Sequence, residues 1–250
     1  MLEDVLTLTY LGALVALMVA DVVRPARIFP TLRRWRLKGI AFAILFLVVS
    51  GTLPLVWDGW LGEHRVFDLT GLGLLPGAFV GLLGYELIGY GWHRALHAVP
   101  WMWRIHQMHH SAERIDAYGA SYFHPLDMVG WSFVPSFALV MLFGVTAEAA
   151  VVAITVANLL ALLGHANIET PAWLGYLIQR PENHALHHER GLHTNNYGDI
   201  ALWDMVFGTW RNPEAWHGVG GFYDGASERV GAMLLGKDVT GADQSGSYAQ

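Results

Sequence analysis

The feature that most constrains this chain is the placement of its histidines. Eight of the thirteen lie in three short segments: HRALH at residues 93–97, HQMHH at residues 106–110 and HALHH at residues 184–188. Each segment places imidazoles three or four positions apart, so on a helix they project from one face. Imidazole is the commonest transition-metal ligand near neutral pH, and eight imidazoles exceed what one tetrahedral zinc ion needs. The spacing therefore predicts that the three segments converge on two metal ions.

The composition indicates a membrane protein. Of the 250 residues, 54% are hydrophobic and only 14% are charged, whereas charged residues make up about 25% of ordinary soluble domains. The chain has no cysteine, so disulfides, iron–sulfur clusters and thiolate metal sites are excluded within it. The net charge of −6 is spread along the chain, which argues against nucleic acid as a partner.

Five apolar runs are candidates for membrane crossings. The runs at residues 5–23, 39–57 and 69–92 each have the roughly 20 residues that a transmembrane helix needs. The runs at residues 128–144 and 147–163 are shorter, so they form either a hairpin that dips into the membrane or two tilted crossings. The first run lacks the basic start and the cleavage site of a signal peptide, and we expect it to be retained.

The basic residues predict the orientation in the membrane. Six of the fifteen lysines and arginines fall between residues 24 and 38, and the positive-inside rule places such a loop in the cytoplasm. Counting crossings from that loop puts the N-terminus outside, and the histidine segments, His165 and the C-terminus in the cytoplasm. The expected fold is an all-α membrane protein with four to five transmembrane helices and a cytoplasmic helical cap that carries a histidine-rich dimetal site.

The chain is expected to form a single membrane domain with three parts. Residues 1–68 hold the N-terminal spans, residues 69–213 the catalytic region and residues 214–250 a tail. The tail is rich in Gly, Ser and Asp from residue 236 onward, and we expect this stretch to be disordered. The short chain without a targeting signal favours a bacterial inner membrane.

The histidine pattern resembles that of the fatty acid hydroxylase / sterol desaturase superfamily of integral-membrane di-iron oxygenases. Three further elements are similar to that family: WMWRIHQMHHS at residues 101–111, FHPLD at residues 123–127, and NYGD followed by LWDMVFGTW within residues 196–210. The resemblance covers roughly residues 84–213. It implies two iron ions, activation of O2, and hydroxylation or desaturation of a C–H bond in a lipid such as a sterol or a fatty acyl chain.

The resemblance also implies which residues bind metal. Carried over position by position, the ligands are His93, His97, His106, His109, His110, His165, His184, His187 and His188. Some family members have a second histidine four residues after the position of His165, where this chain has Glu169. Glu169 is therefore kept as a further candidate. His124, in the FHPLD element, and His193, close after the third segment, are kept as well, and the identity of a ninth or tenth ligand stays open. Iron itself comes from the resemblance, because imidazole sites also bind zinc, which is expected to substitute in a purified sample.

Three carboxylates are candidates for support of the ligands, because metal-bound histidine usually donates its other N–H group to a carboxylate or a carbonyl. Glu86 lies two helical turns before His93 on the same face, and its alternative is a salt bridge to a neighbouring arginine. Asp199 and Asp204 follow the third histidine segment, and their alternative is the capping of helices or turns.

The electrons for such a reaction have to come from another protein. The chain has neither cysteine for an iron–sulfur centre nor a GxGxxG unit for a flavin or nicotinamide, so a separate ferredoxin or cytochrome with its reductase is implied. Two other functions stay open: a zinc-dependent membrane hydrolase that activates water, and a metal-binding or transport protein. The mostly apolar spans argue against transport. The lipid, the regiochemistry and the oligomeric state are not readable from the sequence.

Overall fold

The computed structural model describes residues 1–241, and all regular elements in this part of the chain are helices. The α-helices are α1 (Leu2–Val23), α2 (Trp35–Thr52), α3 (Pro54–Glu63), α4 (Leu74–Ala98), α5 (Pro100–His110), α6 (Pro125–Pro135), α7 (Ala147–His165), α8 (Pro181–His187), α9 (Ala201–Phe207) and α10 (Val230–Leu234). Between residues 1 and 241, β pairing is limited to two isolated bridges. The all-helical fold expected from the sequence is confirmed.

Five helical segments are long and apolar enough to cross a membrane. They are Leu2–Val23, Trp35–Glu63, Leu74–Ala98, Pro125–Leu142 and Ala147–His165. The last two correspond to the pair of short apolar runs, and they contain 18 and 19 residues. An 18-residue helix is about 27 Å long, close to the roughly 30 Å of a bilayer's hydrocarbon core. Their lengths therefore favour two crossings over a shallow hairpin, and the chain is an integral membrane protein.

Helix α3 continues almost directly from α2. Leu53 joins the two helices with helical dihedral angles (φ −64°, ψ −37°), and Pro54 takes the first position of α3. A proline is tolerated there because its missing N–H group has no partner to lose. The joined segment Trp35–Glu63 has 29 residues, so it extends beyond the expected run of residues 39–57. Residues 58–63, between the second and the third apolar run, are therefore helical.

The fourth span changes its helical form at a proline. Pro135 ends α6, and the chain continues as a π-helix over Ser136–Leu142. The carbonyl groups of residues 141–144 accept hydrogen bonds of 2.7–3.2 Å from backbone N–H groups of the segment 66–69. This segment therefore satisfies acceptors that a helix end otherwise leaves open. Gly144 (φ +56°) turns the chain there, and a side chain at this position would run into the same segment.

Helix α4 packs closely on its neighbours through its glycines. A Cβ atom on Gly77 would lie 3.2 Å from the Cβ of Ala149 on α7, and one on Gly84 would collide with the ring of Phe143. Glycines seven positions apart lie on one face of a helix, and small residues on such a face let membrane helices approach each other. Large side chains on the outer faces of α1 and α2, such as Val15 and Ile44, are 59% and 57% exposed, as expected for helices that face lipid.

Buried polar contacts join α1 and the basic loop to the histidine-bearing end of the bundle. Asp21 is 5% exposed, and its carboxylate accepts hydrogen bonds from the backbone N–H groups of Ala117 (2.6 Å) and Asn167 (2.8 Å). In the basic loop, Arg27 forms an ion pair of 3.1 Å with Glu182 just before the third histidine segment. The loop that was predicted to be cytoplasmic thus lies at the same end of the bundle as the histidines.

The chain after α10 packs against α5. Gln107 donates a hydrogen bond to the carbonyl of Lys237 (2.8 Å) and accepts one from the N–H group of Val239 (2.9 Å). The side chain of Val239 is buried beside Trp35 and Met108. Residues 236–241 therefore differ from the disorder that we expected from residue 236 onward, because Gln107 and an apolar cluster hold them. The rest of that predicted stretch, residues 242–250, lies outside the described residues.

We predict that Asp21→Leu destabilises the fold strongly. The substitution removes both hydrogen bonds and leaves two buried N–H groups without an acceptor, at a cost of about 1–3 kcal/mol for each group. Thermal unfolding of the detergent-solubilised protein measures the effect. Asp4→Leu is the matched control, because the Asp4 side chain is 81% exposed on the same helix. An equal melting temperature for the two variants would contradict the role given to Asp21.

Candidate metal centre

The structure brings together all nine histidines that the sequence analysis named as ligands. The first group contains His93, His97, His106 and His110. The second group contains His109, His165, His184 and His188. Within each group the nitrogen atoms that face one another lie within 4.8 Å. His187 adjoins the first group, since its Nε2 atom is 3.2 Å from Nε2 of His93, and with His110 and His188 it links the two groups.

Two short helices, each beginning at a proline, position six of these side chains. Helices α5 and α8 each begin with a proline at the first position, where the preset backbone angle favours helix formation. On α5, His106 and His110 stand one turn apart and face the first group, while His109 turns to the second group. His165 is the last residue of α7, so the end of a membrane span supplies the fourth imidazole of the second group.

Backbone carbonyl groups fix the tautomer of four of the histidines. A carbonyl oxygen only accepts hydrogen bonds, so a ring nitrogen beside it has to carry the proton. The Nδ1 atoms in question donate to carbonyl oxygens as follows: His93 to Tyr197 (2.7 Å), His97 to His193 (2.9 Å), His165 to Ala161 (2.8 Å) and His187 to Asn195 (2.7 Å). In the neutral ring, Nε2 is then an unprotonated atom whose lone pair points into the site.

The Nε2 atoms converge at distances that suit nitrogens bound to one ion. The Nε2 atoms of His93, in the first group, and of the adjoining His187 are 3.2 Å apart, and each of them lacks a proton by the argument above. In the second group, Nε2 of His165 is 3.0 Å from Nε2 of both His109 and His184. Two nitrogens that bind one ion at about 2.0–2.1 Å stand roughly 3 Å apart when the angle between them is near 90°. The donor set therefore fits bound cations.

Five imidazoles that lie outside the membrane spans are kept by burial in the neutral form that binds metal. It lowers the pKa of His109, His110, His184, His187 and His188 well below the ordinary histidine value, and the neighbouring imidazoles lower each pKa further. Metal ligands have to be deprotonated, so these five are ready to bind at neutral pH. Nε2 of His97 is buried and has no hydrogen-bond partner within residues 1–241, which is consistent with a role as a ligand.

A cavity leads from the histidines into the membrane-spanning part of the protein. Its walls include His93, His109, His165 and His184, and side chains from all five candidate spans, among them Tyr10, Phe46 and Trp131. The cavity volume of about 110 Å³ is several times the roughly 10–15 Å³ that one water molecule requires. The cavity therefore has room for more than one small group, and its wall includes members of both histidine groups.

Comparison with known proteins assigns this arrangement to a family. Residues 78–209 match the fatty acid hydroxylase family, which is just over half of the chain. The chain belongs to the fatty acid hydroxylase family. The resemblance found in the sequence is thereby confirmed. The matching segment contains all nine histidines, whereas α1, α2 and α3 lie outside it.

Three curated relatives share parts of this chain. An ornithine lipid hydroxylase of Rhizobium tropici is 29% identical over 145 residues, which cover 55% of this chain and 44% of the relative. A fatty acid hydroxylase from a Lecanicillium species is 31% identical over 172 residues, with 62% and 44% coverage. Alkylglycerol monooxygenase of Caenorhabditis elegans is 24% identical over 180 residues, with 70% and 33% coverage. The chain thus spans less than half the length of these relatives. No solved structure matches it.

A carboxylate that the sequence analysis left without a role lies directly behind one histidine. Asp127, at the end of the family-like segment FHPLD, accepts a hydrogen bond of 2.7 Å from Nδ1 of His106, and both side chains are fully buried. His124 does not join either histidine group: its Nδ1 atom accepts the N–H of Leu126 and caps α6. His124 therefore helps to place Asp127 in the first turn of α6.

The other two further ligand candidates, His193 and Glu169, are not members of either histidine group. His193 has a left-handed backbone (φ +43°), and its carbonyl accepts the proton of His97. Its ring Nδ1 lies 3.3 Å from Nδ1 of His110, so it contacts a member of the first group from outside, and burial lowers its pKa to about 4. Glu169 lies outside all the histidine groups.

Two of the three predicted carboxylates, Glu86 and Asp204, accept hydrogen bonds from a loop beside the site. Asp204 accepts hydrogen bonds from the N–H groups of Tyr197 (2.9 Å) and Gly198 (2.8 Å), and Glu86 accepts those of Asp199 (3.0 Å) and Ile200 (3.2 Å). Together they hold the segment whose Tyr197 carbonyl orients His93. The side chain of Asp199 lines the cavity, and burial, with the nearby charges of Glu86 and Asp204, raises the pKa of Asp199 well above its usual range.

We predict that Asp127→Asn weakens metal binding in this family member by about 10–100-fold, the usual effect of losing a partner of a histidine ligand. The amide still accepts a hydrogen bond, but its neutral oxygen no longer favours the electron-rich state of His106. Metal titration against a competing chelator measures the affinity. Asp68→Asn, at a side chain that is 62% exposed, is the control. Equal affinities in the two variants would contradict the assignment.

We also predict that the metal-free protein loses stability as the pH falls below about 6.5. Histidines with a lowered pKa bind fewer protons in the folded state than in the unfolded state in that range, so unfolding takes up protons. Each such histidine outside the spans contributes about 1.4 kcal/mol per pH unit until its folded pKa is reached. Melting temperatures of chelator-treated protein between pH 7.5 and 5.5 measure this. A flat profile would contradict the neutral state of the five buried imidazoles.

Proposed function

We propose that the protein is a membrane-bound lipid hydroxylase or desaturase that uses two iron ions and O2 to oxidise a C–H bond of a lipid. The observation that carries the proposal is the pair of adjoining imidazole groups at the end of a cavity lined by all five candidate spans. Iron is proposed because of the family resemblance, since an imidazole site also binds zinc and copper. Membership in the fatty acid hydroxylase family and the lipid-oxidising names of the three relatives support the reaction class.

The nine histidines are proposed as the ligands, with His93, His97, His106, His110 and His187 on one ion and His109, His165, His184 and His188 on the other. When bound, the iron ions supply the activation of O2 and the oxidising power. Hydroxylation consumes one O2, two electrons and two protons for each C–H bond and yields an alcohol and water. Desaturation uses the same equivalents and yields an alkene and two waters.

Residues of this chain orient the ligands and keep bulk water from them. Phe123 stacks on the ring of His109 with a centroid distance of 4.3 Å, and Trp131 stands edge-on to His93 at 5.7 Å. The carbonyl groups of residues 193, 195 and 197 hold the protons of three Nδ1 atoms away from the site. A largely apolar chain in this cavity displaces water, which strengthens electrostatic interactions there.

The membrane topology and the electron donor belong to the same proposal. The contact between Arg27 and Glu182 supports a single side for the basic loop and the histidines, and the positive-inside rule makes that side the cytoplasm. The N-terminus then lies outside, the C-terminus lies inside, and a bacterial inner membrane is the proposed location. A separate ferredoxin or cytochrome with its reductase supplies electrons to the catalytic region of residues 69–213, which the spans of residues 1–68 and the tail of residues 214–250 flank.

We predict two iron ions per chain after reconstitution with ferrous iron, and an oxidised lipid product under O2 with a supplied electron donor. Elemental analysis and Mössbauer spectroscopy count and characterise the iron. A product labelled from ¹⁸O2 identifies hydroxylation, and an unlabelled alkene identifies desaturation. His109→Ala is expected to lose iron from the second group and all activity, because three imidazoles remain there.

The matched control is His64→Ala, since His64 is exposed and stacks only on Trp60. It is expected to keep both irons and the activity. One tightly held zinc ion that iron does not replace, together with O2-independent cleavage of a lipid ester, would overturn the proposal in favour of a zinc hydrolase. Metal binding with neither chemistry would favour a metal-binding or transport protein.

A further inference from the structure

An exposed apolar surface lies outside the five segments that are long enough to cross a membrane. It is formed by residues 172–177 and by α9, which are joined by a hydrogen bond of 3.1 Å from the N–H group of Ala201 to the carbonyl of Leu177. Within these two segments the only charged residue is Asp204, whose side chain is fully buried. The exposed side chains of this cap surface include Trp173, Tyr176, Leu177, Leu202, Val206 and Phe207. Such an apolar surface marks contact with a membrane or with another protein.

Two contacts with α4 fix the depth of the cap surface. The indole N–H group of Trp203 donates a hydrogen bond to the carbonyl of Leu83 (3.1 Å), and the ring of Phe207 stacks on Tyr90 with a centroid distance of 5.0 Å. Helix α4 has 25 residues, and a crossing takes about 20, so every possible crossing by Leu74–Ala98 contains residues 79–93. Leu83 and Tyr90 both lie in that range. Helix α9 therefore packs on the part of α4 that crosses the membrane.

The polar groups of the two segments bond inward, as hydrocarbon surroundings require. Asp204 accepts hydrogen bonds from the hydroxyl of Thr209 (2.6 Å) and the amide of Gln179 (3.0 Å), besides the two N–H groups described above. The indole N–H group of Trp210 donates to the carbonyl of Gly175 (2.9 Å). Contact with lipid therefore leaves these groups paired.

Two exposed arginines border the cap surface. Arg94 lies one helical turn after Tyr90, donates to its hydroxyl (3.3 Å) and stands over its ring, while Arg211 follows the end of α9 by four positions. Neither arginine forms an ion pair with a carboxylate within residues 1–241. Guanidinium groups bind phosphate well, and apolar side chains beside them can enter the boundary of the hydrocarbon. The surface and its border therefore suit a bilayer better than they suit water.

We propose that residues 172–177 and α9 form a second, non-spanning contact with the membrane. The partner is the lipid bilayer itself: the apolar side chains lie in the leaflet on the histidine side, and Arg94 and Arg211 lie at the level of its phosphate groups. The cap surface continues the lipid-facing side of α4. Because residues 197–199 directly precede α9, this contact also holds the loop that orients His93 at the membrane. The inference does not rest on the proposed function.

Site-directed spin labelling provides the test, because the chain has no cysteine and one introduced cysteine carries the only label. The variant Val206→Cys is labelled with a nitroxide and placed, loaded with diamagnetic zinc, in nanodiscs of phosphatidylcholine and phosphatidylglycerol. Electron paramagnetic resonance then compares collisions of the label with O2, which enters hydrocarbon, and with a water-soluble nickel chelate. Leu177→Cys examines the other segment in the same way.

Two reference positions calibrate the measurement. Val219→Cys is the matched control in water: Val219 is 52% exposed against 59% for Val206, and its carbonyl accepts the N–H group of Arg190, whose side chain pairs with the exposed Asp224. Ile44→Cys is the reference that faces lipid. We expect the labels at positions 177 and 206 to collide with the chelate about 5-fold less than the label at position 219, because hydrocarbon excludes polar solutes. A label at Arg211→Cys is expected between the two references.

Chelate collisions at positions 177 and 206 that equal those at position 219 would overturn the proposal, since the cap surface would then face water. Low accessibility to both O2 and the chelate, with spin–spin broadening between chains, would also overturn it, because a second copy of the chain would cover the surface. An Arg211→Cys label that matches position 219 would contradict the place given to the arginines. No oxidation takes place in these measurements, so their outcome is separate from that of the proposed function.

Discussion

Hydrogen bonds from histidine Nδ1 atoms to backbone carbonyl groups are the interaction on which this metal centre depends. In four of the nine rings they decide which nitrogen is free, so that its lone pair points inward. Three of the carbonyl groups belong to the segment of residues 193–197, where His193, Asn195 and Asn196 adopt left-handed backbone conformations. Such conformations are uncommon outside glycine, and they persist where surrounding contacts impose them. Here Asp204 and Glu86 hold the following residues in place.

Much of the fold and of the histidine set follows from patterns in the sequence, because those patterns are local. The apolar runs mark the spans, and the three- and four-residue spacing marks the faces of α4, α5 and α8. His165 was found only through the family pattern, since a lone histidine after an apolar run has no local signature. The structure places it with the second group, although its role as a ligand stays a prediction.

The features that sequence reasoning missed depend on contacts between distant segments. Asp127 is 21 positions from His106, and no local rule connects them. Val239 lies in a stretch whose composition predicts disorder, yet Gln107 holds its backbone. The helix beyond residue 57 was missed because the predicted apolar run ended there; Pro54 at the first position of α3 is compatible with continuation of the helical segment.

The late position of the orienting segment has a consequence for biogenesis. The rings of His93 and His97 are aligned by carbonyl groups about a hundred positions further along the chain. A nascent chain that has been made as far as α7 therefore has six of the nine imidazoles but lacks the carbonyl groups that orient His93 and His97. The full arrangement of the histidines forms only after residues 184–204 have been made and have docked on the bundle.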